Sequence, residues 1–550
     1  MENPSRSEII LLSKLGTVAQ MLRREWILLG AVIFGAVLRL YQLPGQLLFG
    51  DEWHAIFTAI NSDYSQIVSN FGLSDRSIPI TLYYKFAMNS VGLEEWVIRA
   101  PFFLSGTLTI LVLPLLVRSL VGRFTSNLFA WLLALSPPLI FYSRFARPYS
   151  ISLFCGFVAV IVFFRWWMAP NWRPAILYVI LAAASAYLLL VTLPFVLGPF
   201  LFFLALSLHR PWAQLSHSIK RLTGLGILTL LPLLLLLAPP LYFSFEAISN
   251  KAGHSMVQFS AMAEAFKILT GQESLLLIAI TVILAITGLT RVYRKSPSFM
   301  AYLFALSLIQ AVTILILRPI GVNAPHILAR YMLMALPAML IFAAAGVEAI
   351  LAIFHCPIKK WVRIALPVGL CMALFLGGPI LTIGYRPNNA TSLMMLVHAL
   401  KGKNYHSILK RVPEFYRRIA VHPPASLTIV EAPFIWQANH LPLFQEIHRQ
   451  RILMGLTNGL CGKKGKEAIL TSKHITNLSS IVDLNSIDGL LDEGVNFVVF
   501  HKWLQNEIRD TLSAYSSQQD MSNCIERYRT RFGAPIFEDE DIIVFEISGG

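Results

Sequence analysis

The chain has 550 residues, of which 56% are hydrophobic and 14% are charged, whereas soluble globular domains average about 25% charged residues. This composition excludes an ordinary soluble protein. The net charge of +15 does not indicate nucleic-acid binding, because residues 1–385 hold 27 Lys and Arg against 13 Asp and Glu, while residues 386–550 hold 18 against 17. The basic excess lies among apolar segments, where it orients a chain in a membrane.

Apolar runs long enough to span a bilayer, roughly 17–25 residues, recur from Trp26 to about Gly384, and the first lacks a convincing signal-peptide cleavage site. We predict eleven spans, near 26–41, 97–117, 127–143, 150–167, 174–191, 193–208, 222–243, 274–290, 299–317, 331–353 and 364–384. Predicted inside segments hold 17 Lys and Arg, and predicted outside segments before Tyr385 hold 8. The positive-inside rule therefore places the N-terminus in the cytoplasm and the C-terminal part outside.

The predicted fold is an α-helical polytopic membrane protein with a C-terminal extracytoplasmic α/β domain. Residues 1–25 form the cytoplasmic N-terminus, 26–384 the transmembrane domain and 385–550 the α/β domain. We expect this protein in the cell inner membrane, because no added lumenal module of eukaryotic type is apparent.

The first predicted outside loop, residues 43–96, is too long and too amphipathic to be a simple connector. Apolar residues at helical spacing predict two short helices on the membrane surface, Glu52–Val68 and Pro79–Val91. The loop near 244–273 shows a similar apolar face, with Met256, Phe259, Met262 and Phe266.

Two adjacent carboxylates, Asp51 and Glu52, directly follow the first predicted span. Acids near a membrane are costly to desolvate, so they usually lie where water or a cationic partner reaches them. A carboxylate at this boundary suits a general base that takes a proton from an acceptor arriving from water. Neighbouring helical residues point about 100° apart, so we expect different tasks for these two candidate catalytic residues. The alternative is a pair of acids complementing a helix dipole.

Two further outside segments carry arginines. Tyr142–Ile151 places Arg144 and Arg147 three residues apart beside aromatic side chains such as Tyr149, which suits binding of a phosphate and a sugar. The alternative is interfacial anchoring, which is common where spans end.

The segment Arg318–Tyr331 carries His326, Arg330 and Tyr331 just before a predicted span, where Arg330 could face a lipid phosphate. Anchoring is again the alternative. His54 and His326 raise the question of a metal, but no HxxxH or HExxH spacing supports one. We therefore predict no cofactor, with a divalent metal left as the alternative.

The C-terminal domain shows strand-like runs at 427–430, 495–500 and 542–545, with helical stretches at 392–400 and 502–513. Cys461 and Cys524 both fall in this domain and could pair if it is extracytoplasmic.

Three stretches together resemble the GT-C membrane glycosyltransferases. They are the acidic pair after the first span, Ser143-Arg-Phe-Ala-Arg-Pro-Tyr-Ser150, and Ala329-Arg-Tyr-Met-Leu-Met-Ala-Leu-Pro337, and Glu94-Glu-Trp-Val-Ile-Arg-Ala-Pro101 fits the same pattern. The most similar group is formed by bacterial relatives of dolichyl-phosphate-mannose–protein mannosyltransferases and of the aminoarabinose transferase that acts on lipid A. The resemblance covers about residues 26–350.

The resemblance implies inverting transfer of a sugar from a polyprenyl-phosphate donor to a lipid, glycan or protein acceptor on the outer face of the membrane. It implies that Asp51 is the base or binds the acceptor, and that Arg147 and Arg330 lie near the lipid end of the site. Relatives often carry His or Lys before a Pro in the second surface helix, where this chain has Ile78-Pro79. Arg76 and Lys85 are candidates to supply that cation.

Two other classes of function are weighed against an enzyme. A transporter or flippase for a lipid-linked or glycan substrate predicts ionisable groups inside spans and repeated halves. Only Arg39, Arg165 and Glu348 approach the interiors of the predicted spans, and no repeat is seen. A membrane-anchored scaffold would leave the outside acids and arginines without a shared purpose.

Overall fold

A computed structural model gives the architecture. It describes residues 25–41, 43, 48, 50–71, 77–209, 211–253, 255–272, 274–353, 358–377, 412–434, 441–457, 478, 480–502 and 518–547. The helices before residue 378 are α1 (25–40), α2 (Trp53–Asn61), α3 (Tyr64–Ser69), α4 (Ile78–Ser90), α5 (Glu95–Val121), α6 (Arg123–Leu135), α7 (Pro137–Arg144), α8 (Tyr149–Met168), α9 (Trp172–Leu188), α10 (Leu193–Leu208), α11 (Trp212–Phe243), α12 (Phe245–Ser249), α13 (Phe259–Thr270), α14 (Leu275–Lys295), α15 (Pro297–Leu317), α16 (Pro325–Tyr331), α17 (Leu336–Ile353) and α18 (Ile358–Gly377). Short 3-10 turns cover Gly50–Glu52, Leu190–Thr192 and Leu333–Ala335.

Seven helical segments within the described ranges are long and apolar enough to cross a membrane, or up to eight if the bent pair α6 and α7 is one span. They are Glu95–Val121, Tyr149–Met168, Leu190–Leu208, Trp212–Phe243, Leu275–Lys295, Pro297–Leu317 and Leu333–Ile353. Helix is present within each of the eleven predicted positions as far as they are described, but α9 has 17 residues and the apolar part of α18, Ile364–Leu376, is shorter still. The chain is a multi-pass membrane protein, and the count of eleven spans stays a prediction.

Prolines break the helices in two places that matter for the site. The segment predicted as one span at 127–143 is instead two helices, α6 and α7, which meet at 57° where Pro137 and Pro138 follow Ser136. A proline cannot donate the backbone hydrogen bond that would continue the preceding helix. The break that the sequence placed before Pro194 is present, since a 3-10 turn precedes α10 there.

The core of the membrane part forms around α8. In the apolar stretch of this helix, 78% of the residues are buried within the protein. The helices α14 and α17 make the closest approach. A Cβ atom on Gly288 would lie 1.7 Å from the carbonyl oxygen of Phe342, and one on Gly346 would lie 1.9 Å from that of Leu284. Small residues permit such backbone contact between membrane helices.

The first outside loop contains three short helices, α2, α3 and α4, where the sequence predicted two. The first predicted helix is divided because Asp63 caps a new one, its side chain accepting from the backbone of Gln66 while the side chain of Gln66 accepts from that of Asp63. In the later loop, α13 buries Ala261, Ala265 and Ile268 against the protein. It leaves Phe259 81% exposed.

The C-terminal domain, residues 412–547 as described, holds a six-stranded sheet. Its elements are α19 (Glu414–Ile419), β1 (Thr428–Ala432), α20 (Leu441–His448), β2 (Arg451–Leu456), β3 (Ile481–Asp483), α21 (Ile487–Asp492), β4 (Phe497–His501), α22 (Gln518–Phe532), β5 (Phe537–Glu538) and β6 (Ile542–Glu546). The strand order is β3-β2-β1-β4-β6-β5, with β1 to β4 parallel to one another and β5 and β6 joined antiparallel at one edge.

Both faces of this sheet are covered. Alternate residues of β1 point to opposite faces, so Ile429 packs with α19 and Val430 packs with α22. The three predicted strands and the α/β class are confirmed. The predicted helix at 392–400 and nearly all of the one at 502–513 lie outside the described residues.

A buried polar cluster joins β1 and β4 where these parallel strands end. Glu431 accepts hydrogen bonds from the Tyr416 hydroxyl at 2.9 and 3.0 Å and lies 2.5 Å from Nε2 of His501. Burial raises the pKa of Glu431 to about 8, against the opposing effect of the Tyr416 hydrogen bond. The end of β1 is therefore fixed within its domain.

Among the cysteines, Cys155 and Cys371 are free, and Cys524 is disulfide-bonded. Cys461 lies outside the described residues, so its pairing with Cys524 stays a prediction.

Candidate active site

The turn Gly50–Glu52, called the Asp51 turn from here on, leads directly into α2 and separates two carboxylates. Glu52 is fully buried and accepts a hydrogen bond from Arg99 at 2.9 Å. The same carboxylate accepts the backbone N–H of Ala146 at 2.6 Å. Because Arg99 is on α5 and Ala146 lies between α7 and α8, Glu52 ties the Asp51 turn to α5 and to the connection between α7 and α8.

Asp51 has a different environment. Its side chain is 39% exposed, and one carboxylate oxygen lies 3.1 Å from a guanidinium nitrogen of Arg330, whose side chain is 17% exposed. The same nitrogen donates to the hydroxyl of Tyr149 at 2.9 Å, and the guanidinium carbon is 5.9 Å from the centre of the Tyr149 ring. Arg330 thus bridges the Asp51 turn and the start of α8.

A second arginine completes the group. Arg147 is buried between α7 and α8, and its guanidinium lies 3.5 Å from the backbone carbonyl oxygen of Asp51. Arg330 thus contacts the carboxylate of Asp51 and Arg147 contacts its backbone carbonyl oxygen, and the group of these three residues carries one net positive charge. Such a site attracts a further anion.

These cations also set the proton affinity of Asp51. Burial would raise the pKa of its carboxyl, but the charges of Arg147, Arg330 and His54, in that order, outweigh burial and hold the pKa below its ordinary value. The carboxylate is ionised at neutral pH.

Arg330 lies on the short helix α16, and a hydrogen bond from another helix holds the end of α16 in place. A buried glutamine, Gln310 on α15, donates to the carbonyl oxygens of Val191 at 2.9 Å and of Tyr331 at 3.0 Å. A buried amide with two hydrogen bonds holds the end of α16 against the 3-10 turn before α10. Tyr331 itself donates to the carbonyl of Ile320 at 3.4 Å.

The structure therefore gathers Asp51, Arg147, Tyr149 and Arg330, while Glu52 supports them from the buried side. Arg144 points elsewhere, since its guanidinium donates at 2.7 Å to the carbonyl of Tyr41 and at 3.3 and 3.4 Å to the carbonyls of Leu38 and Arg39. It caps the C-terminal end of α1.

The remaining predicted site residues are Lys85, His326 and Arg76. Lys85 is half-buried on α4, and His326 is half-buried on α16, four residues before Arg330. Arg76 lies outside the described residues. Within the described ranges, no group of three or more His, Cys, Asp or Glu side chains could hold a metal ion. The roles of all these residues, and the cofactor expectation, stay predictions.

Sequence reasoning missed Arg99, although a signal was present. Arg99 lies inside the predicted span 97–117, so the expectation that only Arg39, Arg165 and Glu348 approach span interiors was wrong, and an ionisable residue in such a position usually has a partner. Its partner Glu52 is 47 positions away in the sequence, so only the folded chain shows the pair.

The fold and the site define a polytopic helical membrane protein with an acid–arginine site where several of its helices end. No protein-family model matches this sequence, and no curated protein matches it.

Among solved structures, the chain is similar to ArnT from Cupriavidus metallidurans bound to undecaprenyl phosphate, at 12% identity and a TM-score of 0.46, covering 96% of this chain and 98% of that one. It is similar to the archaeal oligosaccharyltransferase AglB from Archaeoglobus fulgidus, in complex with an inhibitory peptide and a dolichol-phosphate, at 11% identity and a TM-score of 0.45, covering 87% and 70%. It is also similar to the arabinofuranosyltransferase AftD from Mycobacteria, at 14% identity and a TM-score of 0.46, covering 96% and 40%. All three are GT-C glycosyltransferases, the superfamily that the sequence resembles. The likeness is distant, so the function is argued from the site itself.

Proposed function

We propose that this protein is an integral-membrane glycosyltransferase that moves a sugar from a polyprenyl-phosphate donor to an extracytoplasmic acceptor, with inversion. The observation that carries the proposal is the contact of the half-exposed Asp51 carboxylate with Arg330 at 3.1 Å, beside the second guanidinium of Arg147. One base and two cations are the groups that transfer from a phosphate-linked donor requires.

The roles follow from charge. Asp51 takes the proton of an acceptor hydroxyl, whose oxygen forms a bond to the anomeric carbon as the bond from that carbon to the phosphate oxygen breaks. The polyprenyl phosphate leaves with the electron pair of the broken bond, and Arg147 and Arg330 stabilise its charge. Attack opposite the leaving group inverts the anomeric centre.

The lowered pKa of Asp51 favours a sequence in which the donor binds before Asp51 takes a proton from the acceptor. A carboxylate paired with two cations is a weak base, because its proton affinity is reduced. A donor phosphate competes for Arg147 and Arg330, and their move toward the phosphate restores basicity to Asp51. The base is then strongest when the donor is in place.

The membrane part offers a place for a lipid tail. An apolar groove of about 250 Å³ lies among α13, α14, α15 and α17, lined by side chains such as Phe266, Ile286, Phe304 and Phe342. It also reaches Ala335, which is five positions after Arg330 in the sequence. An apolar groove in the membrane part supports a donor that carries its sugar on a lipid phosphate.

The acceptor remains one of three classes, a lipid, a glycan or a protein, and we propose the inner membrane of a bacterial cell, with the C-terminal domain on the outer side. The first donors to test are sugars on undecaprenyl or dolichyl phosphate, the lipids named for two of the similar structures.

The test compares Asp51→Asn with Asp63→Asn, a matched change in the same loop at a helix N-cap that asparagine also suits. Membranes containing each variant are supplied with labelled polyprenyl-phosphate sugar, and acceptor labelling is measured. We expect Asp51→Asn to lose about 10²–10⁴-fold in rate at normal expression, and Asp63→Asn to keep its rate.

Transfer retained by Asp51→Asn would remove this residue as the base. Flux of a lipid-linked substrate that survives Asp51→Asn, with no transfer by the wild type, would favour the transporter instead.

A further inference from the structure

A shared apolar core joins the C-terminal domain to the loop that carries Asp51. Side chains of α2, α4 and α5 pack in one cluster with residues of β2, with the first residues of α20 and β3, and with one residue after β1 and one before β3. The members from the C-terminal domain are Phe434, Leu441, Ile452, Met454, Leu456, Leu478 and Ile481. Because all of these side chains are buried, the two parts are fixed to one another in the folded chain.

Trp53 is the first direct link between this core and Asp51. It comes two residues after Asp51, is 1% exposed, and donates from its indole nitrogen to the carbonyl of Leu48 at 3.1 Å. Its ring meets Phe434 edge to face, with centroids 5.2 Å apart. The indole therefore holds both ends of the Asp51 turn against a residue of the C-terminal domain, and edge-to-face pairs of this kind are directional.

A polar link runs in parallel. Glu95, the first residue of α5, is 4% exposed and accepts hydrogen bonds from the backbone N–H of Ser480 at 2.9 Å and from its hydroxyl at 3.0 Å. Arg99 follows four positions later, on the same face of the helix, and binds Glu52. The chain of contacts thus leads from Ser480 through α5 to the residue next to Asp51.

The C-terminal side of both links is rigid. Phe434 follows β1 by two residues, and the end of β1 is held by the buried cluster of Glu431, Tyr416 and His501. Ser480 directly precedes β3. Both contacts therefore come from residues beside the ends of strands in one sheet.

We propose that the C-terminal domain positions the base of this enzyme, with Phe434 and Ser480 as positioning residues for Asp51. This inference rests on the proposed function for its catalytic consequence. The domain acts as part of the frame of the active site, through contacts on the buried side of the Asp51 turn that leave the exposed side open to substrates.

The experiment compares Phe434→Leu with Phe545→Leu in the full-length protein. Both phenylalanines are buried in the same domain, but Phe545 packs in the core against α22. Sugar transfer is measured with labelled undecaprenyl-phosphate sugar, together with melting temperature and amide exchange of the peptide 50–61. We expect Phe434→Leu to lower kcat about tenfold or more, with the KM for donor within twofold, and to speed exchange of that peptide.

Phe545→Leu is expected to lower the melting temperature at least as much while kcat and exchange of the peptide 50–61 stay as in the wild type. A wild-type kcat for Phe434→Leu, or losses of kcat that follow melting temperature in both variants, overturns the proposal.

Two additions keep the result decisive. If Phe434→Leu fails to fold, Glu95→Ala, which removes the acceptor of both Ser480 hydrogen bonds, tests the same proposal through the polar link and is expected to lower kcat in the same way. If the wild type transfers no sugar at all, the proposed function fails, and exchange of the peptide 50–61 still decides whether Phe434 holds the Asp51 turn.

Discussion

Asp51 and Glu52 are adjacent, and each binds an arginine, yet the two pairs belong to different parts of the molecule. The Glu52–Arg99 side chains are both 0% exposed, whereas those of Asp51 and Arg330 are 39% and 17% exposed. A ligand cannot reach a fully buried pair, so the role of the Glu52–Arg99 pair is to hold the Asp51 turn in position. The half-open pair can exchange one partner for a substrate. Exposure, more than residue type, separates the two tasks.

The largest effect should come from breaking the closed pair. Glu52→Ala leaves the guanidinium of Arg99 buried without its carboxylate and removes the acceptor of the Ala146 N–H, which should cost about 3–5 kcal/mol of stability. We expect a lower melting temperature in detergent and a poor yield.

A double variant sharpens this result. Glu52→Met with Arg99→Met removes both charges, so it should regain part of the stability that Glu52→Ala loses. If Glu52→Ala melts at the wild-type temperature, the closed pair is not the structural tie described above.

Breaking the open pair should affect binding and leave the fold intact. Arg330→Gln removes one of the two cations proposed to bind the donor phosphate, a charge-assisted contact of the kind worth about 1.5–3 kcal/mol, so the KM for donor should rise roughly 10- to 100-fold. Donor titrations in membranes check this, with Arg318→Gln as a control, since Arg318 lies in the loop before α16. An unchanged KM for donor in Arg330→Gln would contradict the role in phosphate binding.

The smallest effect concerns pH. The cations lower the pKa of Asp51, so in the free enzyme the carboxylate stays ionised below its ordinary pKa of about 3.9. A plot of kcat/KM against pH should therefore show no loss from Asp51 protonation above about pH 5. Removing the Arg330 charge raises this pKa, so Arg330→Gln should begin to lose activity at a higher pH than the wild type. A shift in the other direction would contradict the electrostatic argument.

Much of the fold could be predicted because membrane spans and strands leave local signals. Long apolar runs marked the helices, and β-branched runs marked three of the six strands. The bend between α6 and α7 was missed although Pro137 and Pro138 stood in the predicted span. The strand order could not be read, because it depends on pairings between segments far apart in the chain.

The site was predictable in part for a similar reason. Asp51 stood out by position, and Arg147 and Arg330 by motif, but the burial of Glu52 depends on Arg99 and could not be seen locally. The contact of Ser480 with Glu95 joins residues 385 positions apart. No periodicity or spacing reports such a contact, since it arises only when two folded parts meet.

The backbone contact of α14 with α17 at Gly288 and Gly346 limits where a lipid chain can enter the helix bundle. Hydrocarbon chains cannot pass between two helices whose backbones touch, so that seam is sealed to any molecule diffusing in the bilayer. Under the proposed function, a lipid donor would therefore lie along the outside of this seam, in the apolar groove that α14 and α17 line and that includes Ala335. The substitution Ser307→Trp, which introduces a bulky side chain into the lining of that groove, should slow entry of long-chain donors more than of short-chain ones, as competition between the two would reveal.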